Sequence, residues 1–283
     1  MNVRKEVFVA VVSLSFCVLC SGLANAHMLW INAVDYAMQP GAGHSHGEDA
    51  EGGAKLIAQT NVYFGFGHSY PVDDFLKKEM LNRFELVDSN HNKKPLEPNP
   101  GGFLATSIGF EKPGPYIVSA AIKPGYYTMH IEKGHVQHKM WPKTGLKAVI
   151  LSLYYEQYTK ALLAVGDTTD DAFAKPIGDK IEIVPLKNPY NLKAGAGEIL
   201  PVQVWFNGRP ASFCKVYATY AGFSTSDDFA LATTADSKGT AHIRLTHWGP
   251  WLVKAEKMMP ATEELKDKCN TLHYTASLTF EIK

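Results

Sequence analysis

Beyond residue 26 the chain alternates between short apolar runs and clusters of Gly, Pro and Asn. Tyr116-Ile117-Val118-Ser119-Ala120-Ala121, Lys180 to Val184 and Leu200 to Phe206 are rich in β-branched and aromatic residues. Short runs of this kind, interrupted every ten or so residues by turn formers, predict strands stacked in β-sandwiches. The pattern is most regular after residue 180. Strands are predicted at 180–185, 199–206, 213–220, 229–234, 240–245, 250–256 and 274–282. Asn207-Gly208 reads as a hairpin turn, and Asp236-Ser237-Lys238-Gly239 as a second turn. A segment of that length with about seven strands has the size of an immunoglobulin- or transthyretin-like sandwich. The expected fold is therefore mostly all-β, with two such sandwich domains over 27–179 and 180–283.

Two stretches carry a less simple signal. Leu146 to Val165 has helix formers at a 3–4 spacing through Leu151, Tyr154, Tyr155, Tyr158 and Leu162, yet its first half alternates. It reads as a strand over 147–153 followed by a short helix near 154–165. Tyr126–Trp141 reads as a hairpin turning at Lys133-Gly134, which pairs Glu132 with His135 and His130 with Gln137. That register puts His130, Glu132, His135 and Gln137 on one face and His138 on the other. Residues 41–53 form a polar, glycine-rich loop without the means to bury itself.

The first 26 residues differ from the rest. Arg4 and Lys5 precede an apolar run from Val7 to Leu19, and Ala24-Asn25-Ala26 is a small-x-small cleavage site. The apolar run, about 13 residues, is short of the roughly 20 that a membrane-spanning helix needs. These features predict a signal peptide cleaved after Ala26, a periplasmic product, and no transmembrane segment in the mature chain. Cleavage makes His27 the N-terminal residue, with a free α-amine and an imidazole that can together chelate Cu²⁺, Ni²⁺ or Co²⁺.

Composition narrows the partners. The chain has 28 basic and 28 acidic residues, a balance that argues against nucleic acid or anionic lipid. Cys17 and Cys20 leave with the leader. Cys214 and Cys269 remain, an even pair suited to a disulfide in an oxidising compartment. No GxSxG, HExxH, P-loop or dinucleotide fingerprint occurs, so the chain does not read as an enzyme.

Histidine is the unusual component, with eleven in the chain. His68 closes the aromatic strand VYFGFGHSY, and pairing of the HMLWINAV segment near residues 62–68 would bring His27 beside it. His44 and His46 alternate on the polar loop and share a face when it is extended. His27, His68, His44 and His46 are the predicted metal ligands. The ligand is expected to be a divalent transition metal; imidazole suits Ni, Co, Cu and Zn alike, so the residues leave the choice among the four open.

EIVPLKNPYNLKAG (182–195), LPVQVWFNGRPA (200–211), TTADSKGTAHIRL (233–245), GPWLVKA (249–255) and YTASLTFEI (274–282) follow in order. With His68-Ser69-Tyr70-Pro71 and the following Asp73-Asp74, which stand where the family has a His-Pro-Phe-Glu motif, they resemble the NikM-like, DUF-type family of periplasmic nickel/cobalt transport components. The resemblance implies an accessory role in metal uptake, beside an inner-membrane metal permease. Two other classes fit the residues: a CopC-like copper-binding protein using His27, and a structural or adhesive β-sandwich protein without metal.

Overall fold

The computed structural model describes residues 27–41, 55–195 and 197–283. The predicted signal peptide, its cleavage site, His44 and His46 lie outside the described residues. The strands, in chain order, are β1 (Met28–Ala33), β2 (Ala37–Met38), β3 (Ala58–Gly67), β4 (Leu81–Val87), β5 (Lys93–Pro95) and β6 (Thr106–Phe110). There follow β7 (Gly114–Ile122), β8 (Gly125–Glu132), β9 (His135–Lys139), β10 (Val149–Val165), β11 (Ile181–Pro185) and β12 (Ile199–Phe206). The last six are β13 (Arg209–Pro210), β14 (Lys215–Tyr220), β15 (Leu231–Thr234), β16 (Thr240–Arg244), β17 (Gly249–Pro260) and β18 (Thr271–Ile282). The fold is all-β. Two single-turn 3₁₀ segments, Lys78–Met80 and Pro189–Asn191, are the helical pieces among the described residues.

Three sheets build the molecule. A large one runs β15-β14-β17-β18-β10-β7-β4-β5, with β2 and the β8–β9 hairpin attached along β10. A three-stranded sheet, β1-β3-β6, and a four-stranded one, β11-β12-β13 with β16 on β12, pack against it. The period-two alternation of a strand decides which core each residue enters. On β18, Leu272, Tyr274, Ala276, Leu278, Phe280 and Ile282 join Ile181, Ile183, Val202 and Val204. The intervening Ser277 and Thr279 hydroxyls donate to the carbonyls of Leu29 and Ile31 on β1. On β10, Leu162 faces the same core as Phe280, whereas Ala161, Leu163 and Val165 join Leu29, Ile31 and Phe64. The two smaller sheets therefore cover opposite faces of the large one.

This arrangement corrects the expectation for residues 154–165. No helix forms there; β10 continues without interruption to Val165. It pairs in parallel with β18 from Leu153↔Thr271 to Ala161↔Thr279, and antiparallel with β8 and then β7 on its other edge. A strand buried on both faces reads as a continuous apolar run, which periodicity alone cannot tell from a helix. The same pairing ties the two halves of the chain together. One core draws on residues 29–165 and the other mainly on residues from Phe173 onward, but the large sheet passes through both.

The predicted disulfide does not form: Cys214 and Cys269 are free and buried. Lys215, which follows Cys214, pairs with Glu256 on β17, and Glu256 pairs with Thr275 on β18. Cys269 precedes the other end of β18, where Thr271 pairs with Pro260. With β17 between them, strand spacing alone is about 9–10 Å, beyond the Cα separation a disulfide tolerates. Elsewhere in the core, Lys160 Nζ and Glu182 Oε2 form a buried ion pair at 2.9 Å. Glu182 also accepts from the amides of Ile177 and Gly178.

Candidate metal centre

The register of β1 on β3 places the two principal histidines. Met28 lies opposite Gly67, and the ladder continues to Ala33 opposite Val62. One step outward, His27 and His68 face each other with ring centroids 4.7 Å apart and planes at 70°. His27 also meets the edge of Phe66 at 5.0 Å. Its carbonyl accepts a 2.7 Å hydrogen bond from Nε2 of Gln157 on β10, which holds the main chain at the strand's start.

The turn after β3 is built to hold His68. Asp73 Oδ2 accepts from the amides of His68 (2.6 Å) and Ser69 (3.0 Å), and the amide of Asp74 donates to the carbonyl of Phe66. The His68 and Ser69 amides hold the Asp73 carboxyl below its usual range. Pro71 offers its carbonyl to both Trp30 Nε1 and Asn32 Nδ2, at 2.9 Å each, so β1 grips the turn from beneath. Gly67 has φ +141°, and a Cβ there would strike the Asp73 carboxylate; only glycine allows the turn to close this tightly. Burial, then the neighbouring His27, lowers the His68 pKa. The ring is therefore favoured in its neutral form, the form that coordinates a metal.

The pair sits at one end of a pocket of about 470 Å³, lined also by Phe66, Met80, Ile122, Tyr127, His138, Met140, Tyr155 and Gln157. The hairpin β8–β9 brings His138 here. Its register is Glu132↔His135, His130↔Gln137 and Met129↔His138. Lys133 and Gly134 at the turn both have positive φ, as a tight two-residue turn requires. The Tyr127 hydroxyl meets His138 Nδ1 at 2.5 Å. The opposite face of the hairpin does not gather a second metal patch: His130 is buried, while Glu132 and His135 are exposed. Sequence reasoning placed His138 on the other face but did not link it to the His68 turn; Met80, Met140 and Gln157 carried no local signal.

The pair meets edge to face, an ordinary ring packing, at a centroid separation close to that of two imidazoles on one ion. A metal–imidazole bond of about 2.0–2.1 Å puts the ring centroid about 3.2 Å from the ion, so two cis imidazoles have centroids about 4.5 Å apart. Among the described residues no cluster of three or more His, Cys, Asp and Glu side chains is placed to hold a metal. Any further donor must come from elsewhere.

No helix among the described residues is long and apolar enough to cross a membrane. The family model described as "Domain of unknown function (DUF4198)" matches residues 24–258, and the chain belongs to that family. No curated protein matches. Among solved structures, the chain is similar to the D0-D1 domain of intimin at 14% identity and a TM-score of 0.20, covering 89% of this chain and 96% of that one. It is similar to a Salmonella alpha-2-macroglobulin mutant at 9% identity and a TM-score of 0.24, covering 91% of this chain and 15% of that one. Similarity to BcpA, the major pilin subunit of Bacillus cereus, is 8% with a TM-score of 0.17, over 91% and 70% of the two chains.

Proposed function

We propose that this DUF4198 protein is an exported, periplasmic metal-binding protein, not an enzyme, that takes a divalent transition metal through His27 and His68. The observation that carries the reading is the 4.7 Å approach of two imidazoles at the end of a pocket. Cleavage after Ala26 would free the His27 α-amine and add a third nitrogen to the pair. His44 and His46, which lie in sequence between β2 and β3, are the proposed capture ligands. The cargo is nickel or cobalt, delivered to an inner-membrane permease, as the NikM-like motifs suggest. The test is calorimetric titration of protein beginning at His27 with Ni²⁺, Co²⁺, Cu²⁺ and Zn²⁺. One equivalent is expected to bind, and equal affinity in the His27→Ala/His68→Ala double variant overturns the site.

Copper is the second reading, favoured by the thioethers of Met80 and Met140 in the same pocket, since sulfur donors suit Cu(I). It predicts two outcomes: a Cu²⁺ spectrum that changes when the α-amine is blocked, and Cu(I) affinity that falls in Met80→Leu/Met140→Leu. A spectrum indifferent to the blocked amine removes it.

A further inference from the structure

The charge of the whole chain is balanced, which argues against anionic lipid, but the balance hides a local excess. Residues 126–150 carry Lys133, Lys139, Lys143 and Lys147 against one acid, Glu132. Among the described residues, the ion pairs involve none of these four lysines. The same stretch leaves five large apolar side chains in solvent: Ile131, Val136, Met140, Trp141 and Ile150, each 45–62% exposed. Single apolar residues on a surface are ordinary, whereas a contiguous group rimmed by polar residues marks a binding face.

The hairpin makes them contiguous. Ile131 lies opposite Val136, next to the Lys133-Gly134 turn, and Met129 lies opposite His138. Alternation carries the same face on to Met140, which lines the pocket with His138. An apolar strip therefore runs from the pocket's mouth to the hairpin's tip. Ile150 stands at the break in register between Val149 and Leu151, where β10 begins beside β8. Thr128 Oγ1 donates to the carbonyl of Trp141, and Lys139 Nζ lies 4.9 Å from the centre of its ring. The Lys143 amide and Thr144 hydroxyl donate to the carbonyls of Lys268 and Asp267, which fixes the loop after β9. Residues 262–268 bring three acids and two lysines, so the combined surface stays basic.

Two other uses of these residues fit less well. Lysines on an edge strand block pairing with other chains, and β9 is an edge strand, bonded to β8 alone. Lys143 and Lys147 lie off that strand, where edge protection has no use for them. Protein interfaces are enriched in Arg and depleted in Lys, yet residues 126–150 contain no arginine. Lysines around exposed apolar side chains and a tryptophan match a membrane interface instead. There the long stems reach the headgroups and the indole sits at their level.

We propose that the β8–β9 hairpin and the loop at 140–147 dock the protein on an anionic phospholipid surface. Ile131, Val136 and Met140 enter the bilayer by about 5–10 Å, and the lysines meet the phosphates. Docking in this way lays the mouth of the pocket against the bilayer, within reach of the permease proposed above. The docking itself does not rest on the metal reading.

The experiment sediments protein beginning at His27, in EDTA, with vesicles of phosphatidylcholine alone and of equimolar phosphatidylcholine and phosphatidylglycerol. Binding is expected to the mixed vesicles only, and it should fall as salt screens the lysines. Lys133→Gln and Lys147→Gln should each weaken it about fivefold. Ile131→Asn/Val136→Asn should weaken it at least about tenfold. All four side chains are exposed, so the core does not need them, and circular dichroism reports the intact fold. Brominated lipid should quench part of the tryptophan fluorescence, and that part should vanish in Trp141→Phe. Equal binding to both vesicles overturns the anionic preference, and mixed-vesicle binding indifferent to Ile131→Asn/Val136→Asn overturns the hairpin as the docking element. Binding of soluble polyglutamate but of neither vesicle points to an acidic protein partner and overturns the proposal, as does sedimentation with neither vesicle. EDTA keeps metal out, so each of these failures leaves the metal titration to stand or fall by itself.

Discussion

Gln157 donates from Nε2 to the carbonyl of His27 across 130 residues of sequence. The bond fixes the main chain of one proposed ligand from the middle of β10. Groups that orient a ligand from behind it are worth about 10–100-fold in metal affinity. Gln157→Leu is expected to weaken Ni²⁺ binding within that range, measured by calorimetry. Wild-type affinity in the variant would show that His27 needs no such anchor.

Gly65 lies against the indole of Trp30, and a Cβ there would come within 2.1 Å of the ring. Trp30 is fully buried and tied to Pro71, so it has no room to retreat. Gly65→Ala should cost about 1–3 kcal/mol or more, as overpacked cores do. The urea midpoint reports it, and an unshifted midpoint rejects the packing argument.

Lys160 and Glu182 are both almost entirely buried. Removing one partner strands a charge, at a cost of about 3–5 kcal/mol. Lys160→Met should unfold at correspondingly lower denaturant. Lys160→Met/Glu182→Leu should recover only part of the loss, because the Ile177 and Gly178 amides then lack their acceptor. Full recovery would show that those amides find other partners.

Burial alone would raise the pKa of Glu256, but His273, with Nε2 3.4 Å from Oε2, and the Lys254 charge outweigh it and bring it from 4.5 to about 2. A carboxylate depressed in the folded state stabilises above its unfolded pKa and loses that contribution as pH falls through the folded one. The window is therefore pH 4.5 down to about 2, and the loss is about 3 kcal/mol by the linkage relation. Glu256→Gln should flatten the stability–pH curve there; an unchanged acid slope would disprove the assignment.

Cys214 and Cys269 are separate buried thiols, and burial raises the pKa of each. Thiol titration of protein beginning at His27, denatured without reductant, should find two thiols. In the native state both should react slowly. No free thiol on denaturation would mean that the cysteines are bridged in the exported protein.

Much of the fold is local in origin. The strand at 199–206 needs only its own alternation, and the turns at Lys133-Gly134 and Asn207-Gly208 need only residues that accept positive φ. Once the β8–β9 turn is known, its register follows, including the separation of His138 from His130. The pairing of HMLWINAV with the strand ending at His68 was one option the sequence allowed, and the β1–β3 register realises it. What resists sequence reasoning is β10 from Tyr154 onward, where burial on two faces erases the alternation that marks a strand.

The sequence by itself determined the all-β class and the hairpins, since these depend on side-chain period and turn chemistry; the histidine pair needed the β1–β3 pairing as well. Tertiary structure alone decided that β10 and β18 pair in parallel, that β17 keeps the cysteines apart, and that Gln157, His138, Met80 and Met140 share a pocket with His27 and His68. The reason is physical. Period and turn geometry act within a few residues, whereas pairing between distant strands is selected by which faces the whole chain can bury together.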